Sequence, residues 1–236
     1  MENDEIRKYY DGYVKRQARA GVNERHHTIM ELALQHGLKK DGHVLEIGCG
    51  IGTFTGLLAK YVTQGTILAV DISPESIDLA IKTLGGERHV SFQVANVAEK
   101  QLDQRFDMII LPDVLEHIPL QQHGTLFTHL AAMLADDGRI LIHSPDPFYS
   151  EWVRRERPEL LQVLDLALYL PETLAHIERS NLILHHFQRH AVWLDTPEYM
   201  ALVLVHRPDV AAMDPRIRTS ARRSGGWRER FRNFRS

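Results

Sequence analysis

Three glycines at alternate positions mark the first candidate site in this sequence. The stretch VLEIGCGIGTF places Gly48, Gly50 and Gly52 directly after an apolar run. Glycine permits a tight turn and lets a ligand approach the main chain where a Cβ atom would clash. One acid, Glu46, stands just before the glycines, and a second, Asp71, ends the next apolar run. A carboxylate at about this separation along the chain can accept hydrogen bonds from the hydroxyls of a ribose.

The chemistry that this set indicates is the binding of a nucleoside that carries no triphosphate. The loop reads GxGxG where dinucleotide-binding folds have GxGxxG, and no Lys-Ser/Thr pair follows to hold phosphates. A purely structural reason, a tight turn that packs a helix on a strand, could account for one glycine. It does not account for all three together with Asp71, so we favour a ligand site.

The elements around these residues predict an α/β fold with a doubly wound, mostly parallel sheet. Short apolar runs alternate with single helical patterns, which is typical of a parallel sheet covered on both faces. Near the end, LILHHFQRH and EYMALVLVH follow each other with no helical pattern between them, so these two strands must pair antiparallel. The earlier runs are HVLEI (43–47), TILAV (66–70), VSFQV (90–94), FDMIIL (106–111) and RILIH (139–143).

The same patterns divide the chain into three parts. Residues 1–40 are polar and helical and form an N-terminal cap, 41–210 form the main domain, and 211–236 form an arginine-rich tail. Within the main domain, a proline-punctuated insertion at about 146–170 is long enough to be a lid over the C-terminal edge of the sheet. A ligand at that edge would then be enclosed by the cap and the lid.

The composition indicates a soluble protein of a reducing compartment. Hydrophobic residues make up 44% of the 236 residues and charged residues 25%, which is ordinary for a globular protein. The single cysteine, Cys49, excludes an internal disulfide. The first residues contain no apolar signal segment, and the apolar runs are far shorter than the ~18–20 residues that cross a bilayer. We therefore expect a cytoplasmic protein.

The charge is distributed unevenly along the chain. The net charge is −3, but the tail from Arg216 to Ser236 holds eight arginines and one acid and carries +7, which leaves −10 on the other 215 residues. In the tail, Trp227, Phe231 and Phe234 recur at helical spacing among the arginines. This pattern suits an anionic membrane surface, RNA or a partner subunit. We favour peripheral contact with the inner face of the membrane, only slightly over a flexible tail without a partner.

The motifs together resemble those of the class I S-adenosylmethionine-dependent methyltransferases. VLEIGCGIG is similar to their first motif, LAVDIS to the second and FDMIILPDVLEHI to the fourth. LADDGRILIHSPDP resembles the segment that leads into the fifth strand, and LYLPETLAHIERSNLILHHFQRH resembles the late helix and the sixth strand. The resemblance covers residues 24–206. It implies strand order 3-2-1-4-5-7-6 with strand 7 antiparallel, S-adenosyl-L-methionine as cofactor and S-adenosyl-L-homocysteine as product.

The resemblance also implies which residues bind the cofactor. The glycines would line its methionine and ribose part, while Glu46 would organise the loop and approach the amino group through water. Asp71 would hold the ribose hydroxyls, Ile72 would pack on the adenine, and Leu111 would face the cofactor. Asn96 stands where the family has an aspartate for the adenine amino group, and its amide oxygen can accept that hydrogen bond without charge. The whole set is Tyr13, Arg16, Glu46, Gly48, Cys49, Gly50, Gly52, Asp71, Ile72, Asn96, Val97 and Leu111. For Tyr13 and Arg16, which share one face of the N-terminal helix, simple packing of that helix on the domain is an equal alternative.

Methyl transfer requires alignment of the acceptor, and an oxygen nucleophile usually also loses a proton to a base. His143, at the end of the fifth strand, and His117, in DVLEHIP, are the candidate bases. For His143 we weigh catalytic and structural roles evenly, whereas for His117 a structural role in the loop is somewhat favoured. Because no tight ligand spacing is present, we expect no metal. Further candidates near the same edge are His26, His27, Asp113 and Asp146.

The acceptor that the resemblance implies is a small molecule or a glycan. Oxygen is favoured over nitrogen, because DVLEHIP and the late helix resemble those of ubiquinone-type and sugar O-methyltransferases. N-methylation of a small amine is the first alternative. A non-catalytic binding module is the second, although the intact glycines and Asp71 argue against it. An RNA methyltransferase is disfavoured because the domain before the tail is acidic. The oligomeric state is left open.

Overall fold

The structure of the protein, a computed structural model, describes residues 21–162 and 164–209. Two predicted cofactor contacts, Tyr13 and Arg16, lie outside the described residues, as does the arginine-rich tail at 211–236. The division into cap, main domain and tail therefore stays a prediction.

Seven strands form one sheet at the centre of the fold: β1 (His43–Ile47), β2 (Thr66–Asp71), β3 (Val90–Val94), β4 (Phe106–Pro112), β5 (Leu134–Pro145), β6 (Leu182–His190) and β7 (Tyr199–His206). Their order is β3-β2-β1-β4-β5-β7-β6. Strand β7 runs antiparallel to both of its neighbours, and the other pairs are parallel. The predicted fold class, strand order and reversed strand are confirmed.

Strand β6, at one edge of the sheet, is interrupted by a bulge. Leu184 pairs with Leu204, and His186 pairs with the adjacent residue, Val203. One residue of β6, His185, is therefore extra relative to β7. A bulge of this kind bends the strand and breaks its ladder of hydrogen bonds locally.

In the described part of the chain, six α-helices surround the sheet: α1 (Glu24–Gln35), α2 (Thr55–Tyr61), α3 (Pro74–Leu84), α4 (His123–Met133), α5 (Pro147–Glu156) and α6 (Leu170–Arg179). Asn23, Ser73 and Asp146 cap α1, α3 and α5, because the side chain of each accepts a hydrogen bond from a backbone N–H of the first turn. Helix α6 ends just before Asn181, as the sequence predicts, and Asn181 has a left-handed φ of 60°. None of the described helices is both long and apolar enough to cross a bilayer.

The central strands contribute alternate side chains to two hydrophobic cores, one on each face of the sheet. On β1, Val44 packs with Ile29 of α1 on one face, and Leu45 packs with Phe127 of α4 on the other. All four side chains are buried. Because the strands are covered on both faces, their sequences are continuously apolar, which is why they are easily recognised.

At the C-terminal edge of the sheet, the core on the α1 side ends in polar side chains. On β5, Leu141 lies in that core, and His143, two residues further on, continues the same face. On β7, Ala201 lies in the core and Tyr199 continues its face. Both polar rings are buried, His143 completely. The sheet therefore holds buried polar rings directly beneath its ligand-binding edge.

The predicted lid at about 146–170 begins with α5 and continues through a short 3-10 turn, Pro158–Leu160. The start of α5 is fixed to the β6–β7 hairpin. The N–H of Asp146 donates to the carbonyl of Glu198 at 2.9 Å, and the Asp146 carboxylate lies 2.5 Å from Nε of Arg189. Asp146, a candidate base in the sequence, therefore caps a helix and joins an ion pair.

Candidate active site

A cavity of about 500 Å³ opens at the C-terminal edge of the sheet. Its wall is built by the ends of β1, β2 and β4, the loops that follow β1, β3 and β4, and the first turn of α1. In doubly wound folds, ligands bind at this edge, where successive connections pass to opposite faces of the sheet. We call its two parts the glycine end, with Glu46, Gly48, Asp71 and Asn96, and the arginine end, with Arg25, His26, Asp113 and His117.

The three glycines of the loop have different tasks. All three have left-handed backbones, with φ of 77° at Gly48, 53° at Gly50 and 84° at Gly52. Gly48 lines the cavity, and a Cβ atom there would lie 2.3 Å from Cγ2 of Val114. Gly52 instead lets α3 pack closely, since a Cβ there would lie 3.3 Å from Cβ of Ala80. The expectation that all three line the ligand is therefore corrected: of the three, Gly48 lines the cavity.

Asp71 is held by the backbone of two loops. Its Oδ2 accepts a hydrogen bond from the N–H of Gly50 at 2.8 Å, and its Oδ1 accepts one from the N–H of Ser73 at 2.9 Å. A carboxylate accepts hydrogen bonds at about four lone-pair sites. Gly50 does not line the cavity, but its N–H orients the carboxylate of Asp71. A carboxylate has two oxygens, which suits two neighbouring hydroxyls.

Glu46 is a buried carboxyl with one unpaired oxygen. Its Oε2 accepts a hydrogen bond from the hydroxyl of Thr55 at 2.6 Å, whereas its Oε1 is buried and has no partner. Burial raises the pKa of Glu46 to about 8, although the bond from Thr55 opposes the shift. A buried acceptor without a partner is costly. The side chain is therefore suited to a ligand that brings a hydrogen-bond donor or a positive charge.

The far side of the glycine end is mainly apolar. Ile72 and Val97 line the cavity. Asn96 also lines it, with its Oδ1 accepting a hydrogen bond from the N–H of Ala98 at 3.1 Å, and a second lone pair stays available on that oxygen. Cys49 lines the wall too, and burial raises the pKa of its thiol, so it lines the wall as a neutral group. A flat ring with a polar rim matches this wall.

Asp113 is the central side chain of the arginine end. Its Oδ2 lies 2.8 Å from Nη1 of Arg25, and its Oδ1 lies 2.5 Å from Nδ1 of His143. Burial alone would raise the pKa of Asp113, but the charge of Arg25 and the contact with His143 outweigh burial and lower the pKa to about 2. With φ of 55°, its backbone is left-handed, which is uncommon outside glycine and frequent at functional sites.

His117 lines the cavity, and its ring is fixed by contacts with residues that do not line the cavity. Its Nδ1 lies 2.5 Å from the carbonyl of Leu164 and 3.1 Å from Oδ1 of Asp165. Burial alone would lower the pKa of His117, but the hydrogen bond to Asp165, the charge of Glu116 and the Leu164 carbonyl outweigh burial and raise the pKa to about 9. At neutral pH the ring is therefore charged and cannot accept a proton. This supports the structural role of His117 in the loop, which the sequence somewhat favoured over that of a base.

His143 lies behind the wall of the cavity. Its side chain is completely buried and lies outside the cavity lining, and its Nδ1 faces Asp113. The ring therefore does not reach the cavity wall, which favours the structural role over the catalytic one that the sequence weighed evenly with it. The remaining histidine candidates lie on α1, where His26 lines the cavity and His27 is exposed.

Comparison with known sequences places the chain in a family. The Methyltransferase domain family matches residues 10–195. The chain belongs to this family. The predicted enzyme class, S-adenosylmethionine-dependent methyltransferase, is thereby confirmed, and with it the predicted cofactor.

Individual relatives are distant. Nodulation protein S of Sinorhizobium fredii is 29% identical over 164 residues, which cover 69% of this chain and 72% of that protein. Malonyl-[acyl-carrier protein] O-methyltransferase 1 of Ilyobacter polytropus is 32% identical over 105 residues, 44% of this chain and 38% of that protein. These relatives differ in name and in the share that they cover, so the family assignment leaves the acceptor open.

Solved structures show the same fold. N-methyltransferase NodS from Bradyrhizobium japonicum, in complex with S-adenosyl-L-homocysteine, superposes with a TM-score of 0.61 at 20% identity, over 78% of this chain and 87% of that one. Magnesium protoporphyrin IX methyltransferase from Synechocystis superposes with a TM-score of 0.68 at 17% identity, over 87% of this chain and all of that one.

The residues of the methyltransferase cavity fit S-adenosylmethionine. The unpaired oxygen of Glu46 suits an ammonium group, the carboxylate of Asp71 suits ribose hydroxyls, and the wall around Ile72 suits a purine. Because Gly48 has no Cβ atom, it does not clash with the side chain of Val114. The ammonium, ribose and purine groups of the cofactor thus each have a matching part of the glycine end.

Two features of the methyltransferase site differ from the sequence interpretation. Leu111 lies in the core on the α4 side and outside the cavity lining, because strand alternation turns it inward and leaves Pro112 at the wall. Arg25 was not recognised as a site residue at all. Its signal was weak, since a lone arginine in ERHH reads as an ordinary exposed helix residue, and only the fold brings it beside Asp113.

Proposed function

We propose that the protein transfers the methyl group of S-adenosylmethionine to the nitrogen of a small-molecule amine. The cofactor, when bound, supplies an electrophilic methyl group on a positively charged sulfur. The glycine end would hold it, with Asp71 accepting the ribose hydroxyls, Glu46 near the amino group and Asn96 near the adenine. The arginine end would hold the acceptor.

The observation that carries the choice of an amine is the ionised Asp113 at the arginine end. An alcohol must lose its proton to a base during transfer, and an efficient base has a pKa near the working pH. Asp113 has a pKa of about 2, and His117 is already charged. In the described part of the wall, neither side chain is suited to removing a proton from a hydroxyl.

His26 does not supply the missing base either. Burial, together with the charge of Arg25, lowers the pKa of His26 to about 4, so the ring is neutral at pH 7. Its Nδ1 lies 3.2 Å from the N–H of Asn23 and accepts that bond, which leaves the single ring proton on Nε2. The free nitrogen is therefore a donor, which can orient an acceptor molecule without taking its proton.

An amine reacts as its free base, which forms when the ammonium ion loses a proton to water before it binds, so no side chain has to take a proton from it during the transfer. The Asp113 carboxylate can accept a hydrogen bond from the amine N–H and so point the lone pair away from itself. When the new carbon–nitrogen bond forms, the nitrogen becomes positively charged, and the nearby carboxylate stabilises that charge. The surplus proton then leaves to water after the transfer.

Oxygen methylation is the second candidate. It is supported by the similarity to a malonyl-[acyl-carrier protein] O-methyltransferase and by the resemblance of DVLEHIP to sugar O-methyltransferases. A carboxylate oxygen, like an amine, would react without prior loss of a proton. A glycan hydroxyl, which the sequence favoured, would need a base, and none of Asp113, His117 and His26 at the arginine end is suited to that task.

Matched acceptors can decide between these candidates. The protein would be incubated with methyl-labelled S-adenosylmethionine and with amines, alcohols and carboxylic acids of the same carbon skeletons, and the labelled products counted. We expect the amine of each set to be methylated fastest. Asp113→Asn should reduce that rate by about 10- to 100-fold, the effect of losing a bond to a charged group, without changing cofactor affinity. Preferential labelling of the alcohols would overturn the proposal.

A further inference from the structure

Three rings lie directly behind Asp113: those of His143 and Tyr199, which are buried, and that of His190, which is half-buried. His143 stacks on Tyr199 with ring centres 4.8 Å apart, and its Nε2 lies 3.1 Å from Nε2 of His190. His190 in turn stacks on Tyr199 at 6.2 Å. The rings come from β5, β6 and β7, and strand pairing sets their places, since both His190 and Pro145 are paired with Tyr199.

The hydrogen bonds of the two histidines lead towards the carboxylate. Because Asp113 is ionised and can only accept, Nδ1 of His143 must carry a proton and donate it to Oδ1. In the arrangement that we infer, Nε2 of His143 accepts the 3.1 Å bond, and Nε2–H of His190 donates it. The Nδ1 of His190 then carries no proton, and it is buried without a partner. One chain of donors therefore runs from His190 through His143 to Asp113.

Asp113 depends on this chain for its orientation. Its left-handed backbone turns the side chain away from the run of β4, and its two oxygens are held by residues of different elements, Arg25 of α1 and His143 of β5. The backbone of Asp113 is fixed in the same direction, because its N–H donates to the carbonyl of His143 at 2.9 Å. Removing either side-chain partner would free the carboxylate to rotate.

We propose that His143 is a positioning residue that fixes the carboxylate of Asp113 for the acceptor, and that His190 supports it from behind. The inference rests on the proposed function, in which Asp113 accepts a hydrogen bond from the acceptor. His143 touches neither cofactor nor acceptor in this scheme. It acts through the orientation and the charge of Asp113.

A purely structural role would be better served by apolar residues. Burying polar rings in a sheet costs free energy unless every polar atom is satisfied, and Nδ1 of His190 is not. The neighbouring side chains on the same face, Leu141 and Ala201, are apolar. Apolar replacements of comparable volume are often neutral or stabilising in such positions. The presence of two histidines here is thus better explained by the carboxylate that His143 contacts and His190 supports through it.

The first test reads the ring protons directly. Long-range proton–nitrogen NMR spectra would be recorded on the full chain, labelled with ¹⁵N and saturated with S-adenosyl-L-homocysteine. We expect a proton on Nδ1 of His143 and on Nε2 of His190, with the His143 proton strongly shifted downfield and the shift lost in Asp113→Asn. A proton on Nε2 of His143 together with a bare Nδ1 would overturn the inference, whatever the activity of the enzyme.

The second test separates positioning from folding. In His143→Leu we expect turnover of a pooled amine panel to fall by about 10- to 100-fold, the loss of one bond to a charged group. Affinity for S-adenosyl-L-homocysteine should change by less than about twofold, and the melting temperature should not fall. His143→Asn, whose amide can occupy the place of Nδ1–H, should recover most of the turnover. The matched control is His206→Leu at the opposite end of β7, where the ring contacts the carbonyl of Leu134.

A double variant tests whether the two histidines act as one unit. His190→Leu should lower turnover a few-fold, and the double variant His143→Leu/His190→Leu should be no slower than His143→Leu alone, since residues of one network are not additive. Additive losses would contradict the chain of donors. If Asp113→Asn lowers turnover and His143→Leu does not, the positioning role is wrong and the proposed function stands. If Asp113→Asn has full turnover, the proposed role of Asp113 itself fails.

Discussion

The glycine end and the arginine end of the cavity are built in different ways. At the glycine end, Gly48, Gly50 and Asp71 come from two adjacent strands, and backbone N–H groups hold the carboxylate. At the arginine end, Arg25 and Asp113 are far apart in sequence and meet as side chains, with His143 behind them. The first end is made by the main chain and the second by side chains.

This difference teaches which part of an enzyme can vary. A backbone cradle is fixed by strand positions and by glycine, so it keeps one ligand while the rest of the chain changes. A set of side chains on α1, β4 and β5 can be altered by single substitutions without disturbing the sheet. We therefore expect changes at the glycine end to affect cofactor binding, and changes at the arginine end to affect acceptor turnover.

The largest effect is expected from Asp71→Ala. It removes two hydrogen bonds between a carboxylate and the ribose, each contributing about 1.5–3 kcal/mol, and it also frees the N–H of Gly50. Affinity for S-adenosyl-L-homocysteine should fall by about 100-fold or more. Calorimetric titration measures it, with Asp78→Ala on the exposed face of α3 as the matched control. Equal affinity for the wild type and Asp71→Ala would refute the placement of the ribose.

A somewhat smaller loss of cofactor affinity is expected from Gly48→Ala. The new Cβ would lie 2.3 Å from Cγ2 of Val114, on a backbone whose φ of 77° a side chain rarely adopts. We expect a lower melting temperature and about 10-fold weaker cofactor binding, since overpacking costs about 1–3 kcal/mol. Gly48→Ala/Val114→Ala should regain part of the affinity. The control is Gly86→Ala, where a Cβ would meet nothing within 4 Å, and an equal loss there would contradict the close-approach argument.

Ionisation of Glu46 should make cofactor affinity depend on pH, with a smaller effect than either substitution above. With a pKa of about 8, Glu46 is mostly protonated at pH 7, and a ligand ammonium favours its ionised form. Affinity for S-adenosyl-L-homocysteine should therefore rise between pH 6 and pH 8, by at most about 10-fold per unit. Titrations in buffers of different ionisation enthalpy would reveal the released proton. In Glu46→Gln the rise should disappear, and a rise that persists would assign it to another group.

Without ligand, the same group affects stability in the opposite sense. The folded pKa of Glu46 is raised above its unfolded value of 4.5. Its contribution to the free energy of unfolding is therefore fully present below pH 4.5 and is lost as the pH rises through about 8. Denaturant unfolding of the ligand-free protein should show a decline between pH 5 and pH 8 that is weaker in Glu46→Gln. An identical decline in that variant would exclude Glu46 as its source.

The smallest change is expected from Asn96→Asp. A carboxylate at this place would accept the adenine amino hydrogen bond with a charge, and charge-assisted bonds are about twice as strong as neutral ones. We expect cofactor affinity to rise a few-fold, without a change in acceptor turnover. Calorimetric titration of wild type and variant side by side measures it. Weaker binding in the variant would show that the amide donates to the adenine instead.

The fold and the glycine end could be predicted because they depend on local patterns. Strands buried on both faces are recognisable as apolar runs, and β1, β2 and β3 begin where the sequence placed them. The strand order came from the family resemblance. Glu46, Gly48 and Asp71 line the cavity in the structure because each stands at or just beyond the end of a strand.

The arginine end could not be predicted to the same degree. A histidine such as His143 has the same appearance in a sequence whether it lies at a wall or one layer behind it, and only the register of β5 against β7 buries it. Leu111 and Pro112 differ by one residue and face opposite sides of β4. Arg25 has no motif, since its partner Asp113 is set by how α1 packs on the sheet.

The bulge in β6 has a consequence for how the molecule behaves in concentrated solution. A sheet that ends in a long, regular strand presents free backbone groups on which another chain can assemble, the first step towards fibrils. In β6, the extra residue His185 interrupts this template between Leu184 and His186. The other outer strand, β3, is only five residues long. Neither edge strand of the sheet therefore presents a long, regular template for β-pairing with another molecule.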